Sequence, residues 1–576
     1  MVSSTSPEPL VNVSIFHVLL SMIPLAMIAL ISSSMNLGLE SSILIGLFRT
    51  LLQLSLLSFI LQPIFILGDQ HWYIVVAYIF LMVTITAHES TQRVSYHFPG
   101  MFGGILLSLL INVTAVSLFA FGIVVKPVPV PWEPQYVIPI AGMLLGNSIN
   151  GVSLSLNSLL TSLIEDKSEI ELMLSFGATS NEASARIIRK AVRTGATPIL
   201  NSMAIIGLVS IPGMMTGQIL AGSAVSEAAH YQMMIVYMIA VCTFGTILME
   251  TFVVLKAVFD LKLEIPRTDR LVKREKKRSI SSTIESLLGL CCKGKNLQEQ
   301  PPSNISEREL LNDHDLEIER YVQKPRGTIE IRSLFSNPGK PTRILNVSEI
   351  SKSFHDSDMR SEEKFQRNNS NPLFQDISFT AGSGEIILIS GPSGVGKSQL
   401  FRAIAGLTPL NSGFVSLDEK HFHATEGGMA NWRRRVRYVT QNKVAIPGTP
   451  RDFMVRITNF HTWRIDNSSL SSIELPLTKE EMNASCLELI QKFGLGISSL
   501  DKEWTTLSGG EAQRMIVAMA LASRPQVLLM DECTSALDMN SKLIVENTVE
   551  KHAENFGISV LWITHDKNQV DRMKKK

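Results

Sequence analysis

Charge is spread unevenly along this 576-residue chain, and the asymmetry limits its architecture more than any other feature. Residues 1–260 hold nine Lys and Arg and thirteen Asp and Glu, about 8% charged. The remaining 316 residues hold 83 charged side chains, about 26%. A stretch of 260 residues so poor in charge has the composition of a membrane solute, while the rest is water-soluble. It divides into seven apolar runs near 13–34, 40–62, 71–88, 101–125, 136–164, 198–222 and 231–256. Each approaches the roughly 20 apolar residues that cross about 30 Å of hydrocarbon. A six-span reading with one re-entrant segment fits the same pattern.

Polar residues inside the apolar half matter because hydrocarbon offers them no partner. Arg49 and Gln53 lie one helical turn apart on the second run. Counted from Ser41, Arg49 sits on the order of 12 Å deep at 1.5 Å per residue. Glu250, in the last run, is the intramembrane carboxylate that the pattern offers it. Asn147, Asn150 and Asn157 fall on one face of the fifth run, towards either a water-filled path or a neighbouring helix. The repeats Gly142-x-x-x-Gly146 and Gly213-x-x-x-Gly217-x-x-x-Ala221 permit close helix approach. Met214, Met215, Met233 and Met234 cluster here too; thioethers suit soft metal ions, but they equally fill helix interfaces. Residues 1–14 contain no Lys or Arg, so the first run reads as a retained helix and not a cleaved signal.

The soluble half carries Gly391-Pro392-Ser393-Gly394-Val395-Gly396-Lys397-Ser398, which fits the phosphate-loop pattern G-x-x-x-x-G-K-[ST] at every fixed position. A strand pattern over 385–390 precedes it and a helix pattern over 399–405 follows. That context lets the backbone of Gly391, Ser393, Gly394 and Gly396 form an anion nest at a helix N-terminus. Lys397 is expected to reach the β- and γ-phosphates of a nucleoside triphosphate, and Ser398 to bind Mg²⁺. About 110 residues on stands Leu507-Ser508-Gly509-Gly510-Glu511. The two motifs together resemble the ATPase cassette of the ABC transporter superfamily. The resemblance implies ATP and Mg²⁺ as cofactors. It makes Asp531, at the end of the strand from Val527, a support for Mg²⁺, and Glu532 the general base. Gln441 matches the Q-loop residue that senses Mg²⁺, Asp538 the D-loop, His565 the switch histidine and Phe354 the aromatic that stacks on adenine. Ser508, Gly509 and Gly510 complete the nucleotide site of an opposite cassette in that family. One phosphate loop and one LSGG per chain therefore imply a homodimer. Gln399 and Cys533 depart from the usual pattern without removing a catalytic group.

A polar segment from Glu169 to Thr179 lies between the fifth and sixth runs. The spacing of Glu171 and Gly177 resembles the coupling loop of ABC permeases, with Leu172 and Met173 where that loop has alanines. By that likeness Glu171 docks beside Gln441. The run 201–222, Gly142 to Asn147 and the loop Glu171 to Gly177 resemble the Fet-type iron-efflux permease family of bacteria. The same family includes the membrane subunit of a plant aluminium-tolerance ABC pair credited with UDP-glucose transport. The resemblance covers nearly all of 13–260. A cassette consuming cytoplasmic ATP sets the orientation: the last run exits inward and seven spans put the N-terminus outside. Inner loops then hold Arg93, Lys167, Arg186, Arg189, Lys190, Arg193 and Lys256, against Lys126 alone outside, as the positive-inside rule requires.

Between the halves, residues 261–342 lack apolar periodicity and read as a basic, partly disordered linker. Its cations Arg267, Arg270, Lys273, Arg274, Lys276, Lys277 and Arg278 can hold anionic lipid at about 1 kcal/mol each or form a solvated flank. Cys291 and Cys292 are candidates for palmitoylation. The five cysteines show no disulfide spacing, and no strongly basic domain indicates nucleic-acid binding. The expected fold is an all-α polytopic membrane domain of about seven spans (1–260) joined to an α/β P-loop cassette (343–576) with a helical insertion near 450–515. The expected function is ATP-driven export of a metal ion across the bilayer, with iron the precedent that the resemblance supplies. Two alternatives stand: nucleotide-sugar export, which an unpaired Arg49 favours, and a membrane-anchored ATPase that transmits force without moving solute.

Overall fold

The computed structural model describes residues 14–35, 37–68, 71–124, 133–260, 262–274, 329–335, 345–353, 372–421, 425, 427–441, 446–464 and 477–574. Phe354, Lys126 with the Pro-rich segment around it, Lys276, Lys277, Arg278, Cys291 and Cys292 lie outside these residues. The chain forms two compact units. The first takes Met1–Thr161, Arg189–Leu255 and Leu271–Ile305; the second takes Ser162–Ile188, Lys256–Arg270 and Ser306–Lys576.

The first unit is built from helices: α1 (Ile15–Ser34), α2 (Glu40–Gly68), α3 (Trp72–Gln92), α4 (Met101–Phe119), α5 (Pro134–Glu165), α7 (Ser180–Ile205), α8 (Gly213–Leu220) and α9 (Val225–Val258). Helix α6 (Lys167–Ser175) lies in the second unit, as do the end of α5 from Ser162, the start of α7 as far as Ile188 and the end of α9 from Lys256. The apolar runs become helices because in hydrocarbon each backbone group needs a partner within its own segment. Six of them, α1 to α5 and α9, are long and apolar enough to cross a membrane among the described residues. Their apolar residues point outward as well as inward: Leu30 is 72% and Phe59 76% exposed, as lipid-facing side chains require.

The seventh expected run, 198–222, is not one helix. Its first part is the end of α7, Gly207 then turns the chain with φ 83°, and α8 follows. The chain leaves the second unit after Ile188 and is back in it by Lys256. Arg186, Arg189, Lys190 and Arg193 in the first half of α7 keep it from reading as an ordinary apolar span.

Of the repeats singled out from the sequence, Gly142 sits in a close approach, where a Cβ would lie 3.3 Å from the Met82 methyl, and other glycines make the tighter ones. A Cβ on Gly146, Gly213 or Gly217 would meet nothing within 4 Å, whereas one on Gly195 would lie 2.7 Å from the carbonyl of Gly151. One on Gly104 would lie 2.6 Å from a Val253 methyl. After α9 the chain returns to the bundle as a two-residue strand, pairing Tyr96–His97 (β1) with Val272–Lys273 (β2).

The second unit contains two sheets. One has β3 (Glu330–Phe335), β6 (Ile386–Ser390), β11 (Ser559–Ile563), β10 (Val527–Asp531) and β9 (Val436–Val439) in the order 3-6-11-10-9. The last four are parallel and β3 is an antiparallel edge. The other is antiparallel, β5 (Pro372–Ala381), β4 (Leu345–Ser353), β7 (Ser412–Leu417) and β8 (Lys420–His421) in that order. Helices α10 (Lys397–Ile404), α11 (Gly428–Arg435), α12 (Pro450–Asn459), α13 (His461–Arg464), α14 (Lys479–Lys492), α15 (Gly509–Ala522), α16 (Met539–Phe556) and α17 (Lys567–Lys574) complete it. Helices α12 to α15 occupy the expected insertion. Continuous apolar strands such as Val527–Asp531 are buried throughout because helices cover both faces of a parallel sheet. Register brings Ile389, Ile563, Asp531 and Val439 to neighbouring strand ends. The loops that leave those ends carry Gly391, His565, Glu532 and Gln441, at the carboxyl edge where open α/β sheets bind ligands.

Candidate nucleotide site and its coupling contacts

The phosphate loop leaves β6 with glycines at positions that only glycine adopts freely. Gly391, Gly394 and Gly396 have φ of 151°, 78° and 101°. A Cβ on Gly396 would also lie 2.8 Å from the Leu373 side chain. Gly396 is the N-cap of α10, so the backbone of the turn opens onto that helix's N-terminus. Lys397 donates to the carbonyls of Gly391 and Pro392, both at 2.8 Å, and thereby closes the loop on itself. Burial lowers its pKa, against the pull of Glu532 and Asp531.

Asp531 is 1% exposed at the end of β10. Ser398 Oγ donates to its Oδ1 at 3.1 Å, and the Tyr438 hydroxyl donates to its Oδ2 at 2.9 Å. Burial raises the carboxyl's pKa while those two hydroxyls oppose the shift, and the same burial raises Tyr438 well above the usual phenol value. Glu532 follows with φ 49°, a left-handed turn that costs of order 1 kcal/mol or more at a non-glycine residue. Its carboxylate is held from two sides: Gln441 Nε2 donates to Oε2 at 2.7 Å, and His565 Nε2 lies 2.9 Å from Oε1. Thus Gln441, Glu532 and His565, far apart in sequence, form one hydrogen-bonded set.

Ser508 caps α15 through a capping box: its hydroxyl accepts from Glu511 N at 3.2 Å, and its own N–H donates to Glu511 at 2.9 Å. Gly509 and Gly510 form the first turn of that helix. Asp538 caps α16 by accepting from Ser541 N at 3.1 Å. Gln513 on α15 donates to the carbonyl of Thr440 at 3.0 Å, tying the LSGG helix to the residue before Gln441.

The coupling segment belongs to this same unit. Glu171 on α6 accepts two hydrogen bonds from Arg402, at 2.6 and 2.9 Å, with both side chains largely buried. Arg402 is in the last turn of α10, the helix that begins at Lys397, so Glu171 binds the phosphate-loop helix while the end of α6 lies against the strand that leads to Gln441. The pair outweighs desolvation and raises the Arg402 pKa. Phe176 is fully buried, edge-on to Phe453 at 5.2 Å and beneath the Arg437 guanidinium at 4.7 Å. Arg437 donates to the carbonyl of Ser175 at 3.1 Å, and Thr462 donates to that of Gly177 at 2.9 Å. Burial and the nearby Arg434 lower the Arg437 pKa to about 9, so it stays charged at neutral pH. Gly177 has φ 83°, and a Cβ there would crowd the Ala430 carbonyl at 3.2 Å. Leu172 and Met173, the departures from alanine, are both buried.

A second segment is held a few residues away. Residues 258–267 form a closed hook: Arg267 N donates to Val258 O at 2.9 Å and Asp260 N to Ile265 O at 2.9 Å. Arg267 also pairs with Asp260. The fully buried Arg433 on α11 donates to the carbonyl of Leu263 in this hook and to that of Gly406 at 2.9 Å. Three cations of the juxtamembrane run thus have protein partners, since Arg270 donates to Ala257 O at 2.9 Å and Arg274 to Thr91 O at 3.2 Å.

In the membrane unit the expected pairing of Arg49 with Glu250 does not form. Arg49 lies 3.7 Å from Glu89 on α3, its neighbour across the α2–α3 hairpin. Glu250 Oε2 accepts instead from Ser108 Oγ of α4 at 3.3 Å. Gln53 is exposed on α2. The three asparagines divide their work. Asn150 accepts from Arg93 at 2.9 Å and Asn157 from Ser95 N at 3.1 Å, while Asn147 bonds its own helix at Met143. Cys242, Cys486 and Cys533 are free and buried.

The profile of the uncharacterised protein family UPF0014 matches residues 15–259, and that of the ABC transporter family matches residues 374–535. A UPF0014 membrane protein, slr1647 of Synechocystis, is 38% identical over 192 residues, 33% of this chain and 73% of that protein. The probable iron export permease protein FetB of Escherichia coli is 33% identical, covering 36% of this chain and 78% of its own length. The probable iron export ATP-binding protein FetA of the same organism is 32% identical, covering 35% and 82%. The chain belongs to the UPF0014 family and, through its second half, to the ABC transporters. This UPF0014–ABC fusion is a multi-pass membrane permease continuous with an ABC ATPase. Sequence reading of the fusion missed Tyr438, Arg402, Arg433 and Arg437. The one signal for them was charge on segments that otherwise read as buried, such as Arg437 within the strand Val436–Val439.

Proposed function

We propose that this chain is a half-transporter which exports a metal ion, iron(II) first, by closing two copies of its cassette over ATP. The observation that carries the reading is the arrangement at the four strand ends. Asp531 is held by Ser398 and Tyr438, and Glu532 is held between Gln441 and His565.

In this reading Lys397 exchanges its two loop carbonyls for the β- and γ-phosphates of ATP. The donors around Asp531 suit Mg²⁺, which takes oxygen ligands from one or two carboxylates plus phosphates. Ser398 and Asp531 would hold it, with Gln441 alongside, and bound there it would neutralise charge on the phosphates. Glu532 takes the proton of the attacking water, and His565 orients that carboxylate until the γ-phosphate arrives. Ser508, Gly509, Gly510 and Asp538 serve the site of the second copy, and Phe354 stacks on adenine. Residues 1–260 act as the permease and 343–576 as the cassette, joined through 261–342, with Glu171 and Gly177 passing movement between them.

Iron is supported by the printed names of FetA and FetB, each matched over most of its length. The argument for an anionic nucleotide sugar drew on an unpaired Arg49, and Glu89 at 3.7 Å weakens it. The test is ATP-dependent flux in reconstituted vesicles, with Fe(II) and UDP-glucose assayed in parallel and Glu532→Gln as the inactive control. Fe(II) movement that needs ATP and Glu532 is expected. Movement of UDP-glucose alone would overturn the cargo. Hydrolysis with neither flux would favour the force-transmitting alternative.

A further inference from the structure

Glu250 is 2% exposed, and its Oε1 has no hydrogen-bond partner among the described residues. The other oxygen has only Ser108 Oγ at 3.3 Å. A carboxylate set among apolar helices with a single hydroxyl for company is unstable as an anion unless a cation joins it. The surroundings are built for close approach at this level. Gly104 lets α4 press against Val253, and Gly245 lies directly beneath the Asn112 amide, whose Oδ1 a Cβ there would strike. Asn112 Nδ2 donates to Ser108 O at 2.8 Å and contacts Met249 Sδ at 3.7 Å. Carboxylate and hydroxyl therefore meet where α4 crosses α9, and the Asn112 amide meets the Met249 thioether one turn further along α4.

Asn112 faces a second feature as well. With Val116, His230, Met233, Met234 and Met238 it lines a groove of about 620 Å³ between the same two helices. Ser108 and Asn112 are one turn apart, roughly 6 Å along α4. In the orientation that the loop charges predict, α9 runs inward to Lys256, so Glu250 lies roughly 9 Å from that end and the groove on its outward side. A cation arriving from the cytoplasm would meet Glu250 first and then a path carrying one imidazole and three thioethers. Those ligand types suit a borderline transition-metal ion better than a hard one.

We propose that Glu250 and Ser108 form an intramembrane binding site for a divalent transition-metal cation, which leaves outward past Asn112 through the His230–Met238 groove. The proposal rests on the export reading only in making that cation the cargo. It is tested on the full-length protein in lipid nanodiscs, titrated with Co(II), whose visible absorption reports its ligands. Wild type should bind one Co(II) per chain outside the nucleotide site, in the absence of ATP. Glu250→Gln, nearly isosteric, should weaken binding at least tenfold and keep basal ATP hydrolysis. Ser108→Ala should weaken it less, and it supplies the answer if Glu250→Gln does not fold. Co(II) binding of equal strength in both variants, or no binding by wild type, would overturn the site. Binding lost in Glu250→Gln while vesicles move no metal would leave the site standing and remove the cargo. Metal flux unchanged in Glu250→Gln would do the reverse.

Discussion

Arg402 grips Glu171 with two hydrogen bonds, 2.6 and 2.9 Å long, from the far end of the helix that begins at Lys397. A short helix therefore has the phosphate loop at one end and the coupling loop at the other. Loss of one partner strands a buried charge, which is strongly destabilising to the contact. Glu171→Arg should leave basal ATP hydrolysis within a few-fold of wild type and nearly abolish transport. The exchange Glu171→Arg with Arg402→Glu should recover part of it. Vesicle flux and ATPase rate measured side by side decide; an exchange no better than the single variant would place the transmitting contact elsewhere.

Glu532→Gln keeps the size of the side chain and its hydrogen-bonding reach while removing the base. Hydrolysis should fall by about 10²–10⁴-fold with ATP still bound. Activity within tenfold of wild type, measured at saturating ATP, would take Glu532 out of that role.

Arg49 has Glu89 at 3.7 Å, and Glu250 has another partner. A double-mutant cycle on thermal stability should thus be additive for Arg49 with Glu250, within about 0.5 kcal/mol, because the two do not meet. The cycle for Arg49 with Glu89 should show coupling of about 0.2–1 kcal/mol. Coupling in the first cycle and none in the second would reverse this assignment.

Mixed dimers test the two-copy site. Lys397→Ala damages a chain's own site, and Ser508→Arg damages the one it completes for its neighbour. In a dimer of one such chain with the other, one site carries both lesions and one carries neither. Differently tagged chains purified as mixed complexes should regain part of the ATPase activity that either homodimer lacks. A monomer with full, concentration-independent activity would refute the arrangement.

What the sequence disclosed follows from where local chemistry dictates structure. The phosphate loop was legible because an anion nest fixes its glycines, and Gly391, Gly394 and Gly396 indeed take left-handed or otherwise glycine-favoured φ. The apolar runs were legible because hydrocarbon permits little besides a helix. Partners were not. Arg402, Tyr438 and Arg433 act through residues distant in sequence, and no periodicity announces which carbonyl or carboxylate a buried cation will find. Arg49 shows the same limit: its place on an apolar helix was readable, but the hairpin that brings Glu89 to it was not. Gly104, Gly195 and Gly245 carry tighter helix approaches than Gly142, without belonging to either small-residue repeat.

The hook at 258–267 changes the meaning of covalent fusion. One short helix and its flank, Arg433 to Arg437, hold the carbonyls of both Leu263 and Ser175. The first of those carbonyls follows α9 in sequence and the second ends α6, the short helix that follows α5. Both stretches thereby fold into one compact unit with the cassette, although in sequence they flank the membrane runs. Cleavage between residues 274 and 329 should therefore leave two polypeptides that stay associated through those carbonyls.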